Sequence, residues 1–73
     1  LDYCKIIVRR DDPTISGRIE VTMTVSGGKV QRVTLLSNSS RSEELANCVL
    51  RKVKRWRFHE SIEETVDWPF MFR

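Results

Sequence analysis

Residues 18–25 alternate without a break, with Ile19, Val21, Met23 and Val25 on one face and Arg18, Glu20, Thr22 and Thr24 on the other. A period of two over that length is the mark of a strand with one face on a core and the other in water. Gly27-Gly28 follows almost at once, and two residues free to take positive φ suit a tight hairpin. The chain is therefore expected to double back, with a return strand at about 29–36 and Val33 and Leu35 turned inward. Val30 has the wrong parity for that face, which predicts a bulge just after the turn.

The segments on either side complete an α+β pattern. Tyr3, Cys4, Ile7 and Val8 fit one helical face near the start, although Ile6-Ile7-Val8 is a β-branched run that weakens helix propensity. We read residues 1–10 as a partial helix that stops before Pro13, because the residue ahead of a proline avoids helical geometry. Further on, Leu45, Cys48, Val49, Val53 and Trp56 recur at steps of three and four. That spacing predicts a core-facing helix over about 42–55. Ser40-Arg41-Ser42-Glu43 has capping-box spacing at its start. The last strand, about 65–72, sets Val66, Trp68, Phe70 and Phe72 against Thr65, Asp67, Pro69 and Met71.

Pro69 has no N–H to give to a ladder, so this strand belongs at a sheet edge or turns its proline away from the neighbour. The order helix (partial), strand, strand, helix, strand is most simply satisfied by helices layered on a three-stranded antiparallel sheet.

Size sharpens the question of what holds such a fold together. At 73 residues the chain is one domain with a modest core, the range in which a staple or a metal often supplements burial. Cys4 and Cys48 admit three readings: a disulfide, two buried thiols, or a share in a metal site. A zinc site needs two further ligands, and His59 with a glutamate is not a recognised spacing. A disulfide tying the first helix to the second is the expectation carried forward. The chain opens on Leu1 rather than a methionine, and we expect it to be a piece of a longer protein.

The net charge of +3 hides an uneven distribution. Arg51, Lys52, Lys54, Arg55 and Arg57 place five positive charges in seven residues, and the rest of the chain holds eight basic and ten acidic groups. Arg51, Lys54, Arg55 and Arg57 form a candidate basic patch. The favoured reading is a solvated helix end that suits the helix dipole, ahead of a docking patch for an acidic partner or an anionic envelope polymer. The aromatics do not interleave with these charges as a base-stacking platform requires, so nucleic acid is not the favoured partner. Trp56, Trp68, Phe70 and Phe72 are expected in the core. His59 has Ser61 and acidic residues nearby. A lone histidine with serines does not make a hydrolytic site, which needs a nucleophile, an orienting acid and an oxyanion hole on a preorganised scaffold. No enzymatic activity, metal or cofactor is expected.

Taken in order, Cys4, Pro13 with Gly17, Gly27-Gly28, Cys48, Trp56-Arg57-Phe58 and Pro69-Phe70-Met71-Phe72 resemble the TonB C-terminal-like fold. More narrowly the chain looks like the AgmX/PglI C-terminal type of bacterial gliding-motility and envelope proteins, over nearly its whole length. It departs from the usual pattern at His59, where the family has proline, at the Gly-Gly hairpin, and at Tyr3, which precedes the cysteine instead of following it. The resemblance implies a non-catalytic periplasmic domain of an inner-membrane-anchored, envelope-spanning protein. Energy transduction, transport or gliding motility is the implied setting, and outer-membrane or periplasmic proteins are the implied partners.

The surface best suited to such a partner is the terminal strand at Thr65, Asp67, Pro69 and Met71. An incoming peptide there would gain backbone hydrogen bonds for affinity and side-chain pockets for specificity. A second copy of the chain could pair along the same edge. The competing reading is a small cytosolic α+β domain that binds nucleic acid or an acidic protein through residues 51–57. A spacer with no specific surface is a third.

Overall fold

The computed structural model describes residues 2–73 and has the expected element order. Helix α1 spans Asp2–Arg9, strand β1 Gly17–Ser26, strand β2 Lys29–Asn38, helix α2 Glu43–Lys54 and strand β3 Glu64–Phe72. The three strands form one antiparallel sheet in the order β2-β1-β3. The strand with the cleanest alternation is thus the central one, and β2 and β3 are both edges.

The hairpin forms as its glycines predict. Gly27 and Gly28 have φ of +59° and +76°, the pair of left-handed conformations that matches the twist of a two-residue turn. At Gly28 a side chain is excluded twice over, since a Cβ there would lie 2.4 Å from the main-chain oxygen of Phe58. The register confirms the bulge after the turn. Val25 faces Val30 while Thr24 faces Arg32, so Gln31 is the extra residue and Val30 regains the core face, where it is buried. A second irregularity, at Leu36, was not expected: Val21 pairs with Leu35 but Glu20 with Ser37.

Both helices lie on the face of the sheet that carries Ile19, Val21, Met23 and Val25, all buried. Helix α2 brings Leu45, Ala46, Cys48, Val49 and Val53 to that layer. Its N-cap is Ser42, whose Oγ accepts from the Leu45 N–H at 3.1 Å. Ser40, the first residue of the capping-box spacing, is buried instead and hydrogen-bonds Asn38. Helix α1 contributes Cys4 and Val8. Tyr3, expected on its inner face, is exposed, with the Lys52 ammonium 4.4 Å from its ring centre. Lys52 thus spans the surface between the helices as a cation–π partner.

Cys4 and Cys48 are joined by a disulfide, with their Cα atoms 5.7 Å apart. Both are buried, so the bond links α1 to α2 at the centre of the helical layer. At the other end of α1, the Arg9 guanidinium donates to the main-chain oxygens of Ile15 and Arg73.

The helical layer does not cover the whole sheet. Helix α2 packs on β2 and α1 packs on α2, which leaves much of β3 bare. Of the four aromatics expected in the core, Phe72 is buried and Trp56 and Phe70 are half-buried, but Trp68 is 49% exposed. Leu35, expected inward on β2, is 44% exposed. Both stand on the correct face of the sheet, opposite each other across Val21. Trp68 stands on β3, against which neither helix packs closely, whereas Leu35 stays exposed on β2 although α2 lies on that strand.

Candidate interaction edge

The two edges differ in how their backbone groups are spent. On β2, the outward-facing main-chain oxygens of Val30 and Gln31 accept from the Lys54 ammonium at 3.0 Å and 2.6 Å. A residue at the end of α2 therefore closes part of that edge. The segment after α2 adds to this cover at the turn, because the Phe58 N–H donates to the Gly28 carbonyl at 2.7 Å and Arg57 bridges to Lys29.

Among the described residues, no such cover lies along β3. Its backbone orientation can be read from β1, the strand it pairs with. The N–H of Arg18 donates to Ser39 Oγ at 2.8 Å, and its carbonyl accepts from the Ser39 N–H at 2.9 Å. Both groups of Arg18 thus point toward β2. Alternation along an antiparallel strand then turns Gly17, Ile19, Val21 and Met23 toward β3. Their partners are Phe72, Phe70, Trp68 and Val66. The intervening residues Thr65, Asp67, Pro69 and Met71 consequently direct their backbone groups outward. Pro69 agrees independently, since an unbroken ladder requires its nitrogen, which has no hydrogen, to face away from β1.

All four of these residues are exposed, Met71 at 57%. Their side chains lie on the open face of the sheet, where Asp67 Oδ1 accepts from Thr22 Oγ1 at 2.7 Å. Thr65 and Thr24 hydroxyls sit 3.3 Å apart on the same face. Arg18 pairs there with Glu20 at 3.0 Å. The edge that the sequence singled out thus offers three donors and four acceptors in a row, with Pro69 omitting one donor.

On the opposite, helix-side face of β3 is a feature the sequence reading missed. Met23, Val25, Trp56, Phe58, Ile62, Glu64, Val66 and Trp68 enclose an apolar pocket of about 200 Å³. Trp56 organises it, meeting Phe58, Trp68 and Phe70 edge-to-face at ring separations of 6.3, 6.4 and 5.7 Å. These are favourable aromatic geometries, so the walls are mutually braced. The available signal was the run of three aromatics on one face of a strand already assigned to an edge.

The basic block is less of a patch than its density suggests. Lys54 is committed to the edge of β2, Lys52 to Tyr3, and Arg57 donates to the carbonyls of Arg55 and Trp56. Arg51 and Arg55 are exposed on α2 and just after it. Among the described residues, no group of three His, Cys, Asp or Glu side chains is placed to hold a metal ion. His59 Nδ1 lies 2.7 Å from Ser61 Oγ and also accepts from the Ser61 N–H, an arrangement that closes the turn between Phe58 and Ile62. No family model, curated protein or solved structure matches this chain.

Proposed function

We propose that this is a protein–protein interaction domain without catalytic activity, which accepts an extended segment of a partner along β3. The observation that carries this reading is the outward row of backbone groups on Thr65, Asp67, Pro69 and Met71, uncovered on an outer strand. Unpaired strand edges bind extended peptides through main-chain hydrogen bonds and distinguish them through side-chain contacts. The contrast with β2 supports it, since Lys54 blunts one edge and only Pro69 and Asp67 temper the other.

The setting is that of a TonB-like, envelope-spanning protein in energy transduction, transport or gliding motility, facing periplasmic or outer-membrane partners. The resemblance of the sequence motifs supports it, and so does the Cys4–Cys48 bond, because disulfides persist in oxidising compartments such as the periplasm.

The reading is tested with Met71→Pro and a partner segment captured by crosslinking in cells. The substitution removes an outward donor and leaves the bonds to β1 in place. Binding should weaken while the far-ultraviolet circular dichroism of the domain stays unchanged. A folded variant with unaltered affinity would place the interface elsewhere.

A further inference from the structure

The pocket and the edge share a strand, and together they restrict what the edge can accept. Glu64, Val66 and Trp68 of β3 form one wall of the pocket, and β3 is the outermost strand on that side. A strand added beside β3 would place every second side chain on the helix-side face, with its Cβ about 5 Å from that of its cross-strand neighbour. The two residues opposite Val66 and Trp68 would then stand at the pocket. The residue between them would lie opposite Asp67 on the open face. This alternation holds whether the added strand runs parallel or antiparallel.

The charge along this stretch has a single sign. Between Phe58 and Phe72 the chain carries Glu60, Glu63, Glu64 and Asp67 and neither lysine nor arginine. Glu63 is occupied by the Gly27 N–H, and Arg18 across the open face is held by Glu20. Asp67 keeps lone pairs beyond the one that Thr22 uses, and Glu64 is exposed at the pocket wall. A positively charged side chain opposite Asp67 would form a cross-strand ion pair, whereas an acidic one would be repelled.

Resting on the strand-addition reading, we infer that β3 selects an extended segment with a lysine or arginine between two bulky apolar residues. The apolar pair occupies the pocket face beside Val66 and Trp68, and the basic residue faces Asp67. The pocket supplies most of the affinity, since burying one large apolar side chain is worth at least about tenfold in binding. The acidic rim fixes register and rejects acidic segments, and its contribution weakens with salt.

The test uses the isotope-labelled domain and three short acetylated peptides observed by nuclear magnetic resonance. The first has a central lysine between two phenylalanines in a threonine background. The second replaces both phenylalanines with alanine, and the third replaces the lysine with glutamate. The edge is read at the Thr65, Asp67 and Met71 amides, and the pocket at the indole N–H groups of Trp56 and Trp68. The first peptide should shift both sets, the second should bind at least about tenfold more weakly, and the third should lose affinity at low salt. Equal shifts of the edge amides by all three peptides would keep strand addition and overturn the selection rule. Indole shifts without edge shifts, or no shifts at millimolar peptide, would overturn strand addition as well.

Discussion

The ammonium of Lys54, at the end of α2, reaches across to the outer edge of β2 and holds the carbonyl oxygens of Val30 and Gln31. One side chain from the densest run of positive charge in the chain thus serves the sheet rather than a ligand. It does so where the bulge at Gln31 breaks the regular ladder and leaves two carbonyls close together. The asymmetry between a guarded β2 and an open β3 depends partly on this contact.

Replacing Lys54 with methionine keeps most of the unbranched apolar stem and removes the ammonium with both hydrogen bonds. The contact is partly exposed, so the expected loss is about 1 kcal/mol, read as a lower urea midpoint. Hydrogen exchange around Val30 and Gln31 should quicken more than exchange in β1. An unchanged midpoint together with unchanged exchange would show that water replaces the ammonium at no cost.

The two hairpin glycines look equivalent in the sequence and are not equivalent in the fold. Gly28→Ala forces a side chain into a left-handed conformation and against the Phe58 carbonyl 2.4 Å away. Main chain lies on both sides of that contact, so neither side yields cheaply. The expected cost is about 2 kcal/mol or more. Gly27 has open space within 4 Å and a φ of +59°, a conformation asparagine tolerates. Gly27→Asn should change stability by no more than about 0.5 kcal/mol. Urea titrations of the two variants should differ clearly, and equal midpoints would remove the steric account of Gly28.

Much of this fold is written in short-range periodicity. Alternation at Ile19–Val25 fixed the central strand, the parity of Val30 located a bulge, and the steps of three and four placed α2. Pro69 assigned β3 to an edge, and the register leaves β3 there. Periodicity tells which face a side chain takes and not whether another layer covers that face. Trp68 and Leu35 therefore take the expected face and remain exposed, Trp68 because neither helix packs closely on β3, and Leu35 although α2 packs on its strand. The pocket beneath Trp56 depends on how the chain after α2 folds back on the hairpin, a contact between Phe58 and Gly28 that no local pattern encodes. The fate of the basic block was hidden for the same reason, since Lys54 and Arg57 are distinguished only by which carbonyls lie within reach.

Acid should loosen the turn through Glu63. The Ser26 hydroxyl, and after it the Gly27 N–H, stabilises the carboxylate and holds its pKa below the ordinary glutamate value. A carboxyl with a depressed folded pKa contributes stability above its unfolded pKa, and that contribution is lost as pH falls through the folded value. The Gly27 amide resonance should therefore move with an acidic midpoint lying below that of an unstructured glutamate. Glu63→Gln should abolish this titration. If the resonance moves at the ordinary glutamate pKa, the hydrogen-bonded carboxylate does not persist in solution.

The Cys4–Cys48 bond closes a loop with a sequence separation of 44, and its effect should be the largest of any single feature. In the chain-entropy account such a crosslink restricts the unfolded ensemble and stabilises the fold by about 4 kcal/mol. Native proteins have about 5–15 kcal/mol in total, so the double variant Cys4→Ala/Cys48→Ala should lose a large share of its stability and unfold at a much lower urea midpoint. Helix α1 is the element most exposed to this loss, because its own packing is chiefly against α2. Both sulfurs are buried, so a thiol reductant should act slowly on the native domain and quickly once urea opens it. The reduced wild type and the double variant should then unfold at similar urea concentrations, well below the oxidised domain. Coincident midpoints for the oxidised and reduced protein would show that the helices hold together without the bond, and would leave burial alone to account for the stability of the domain.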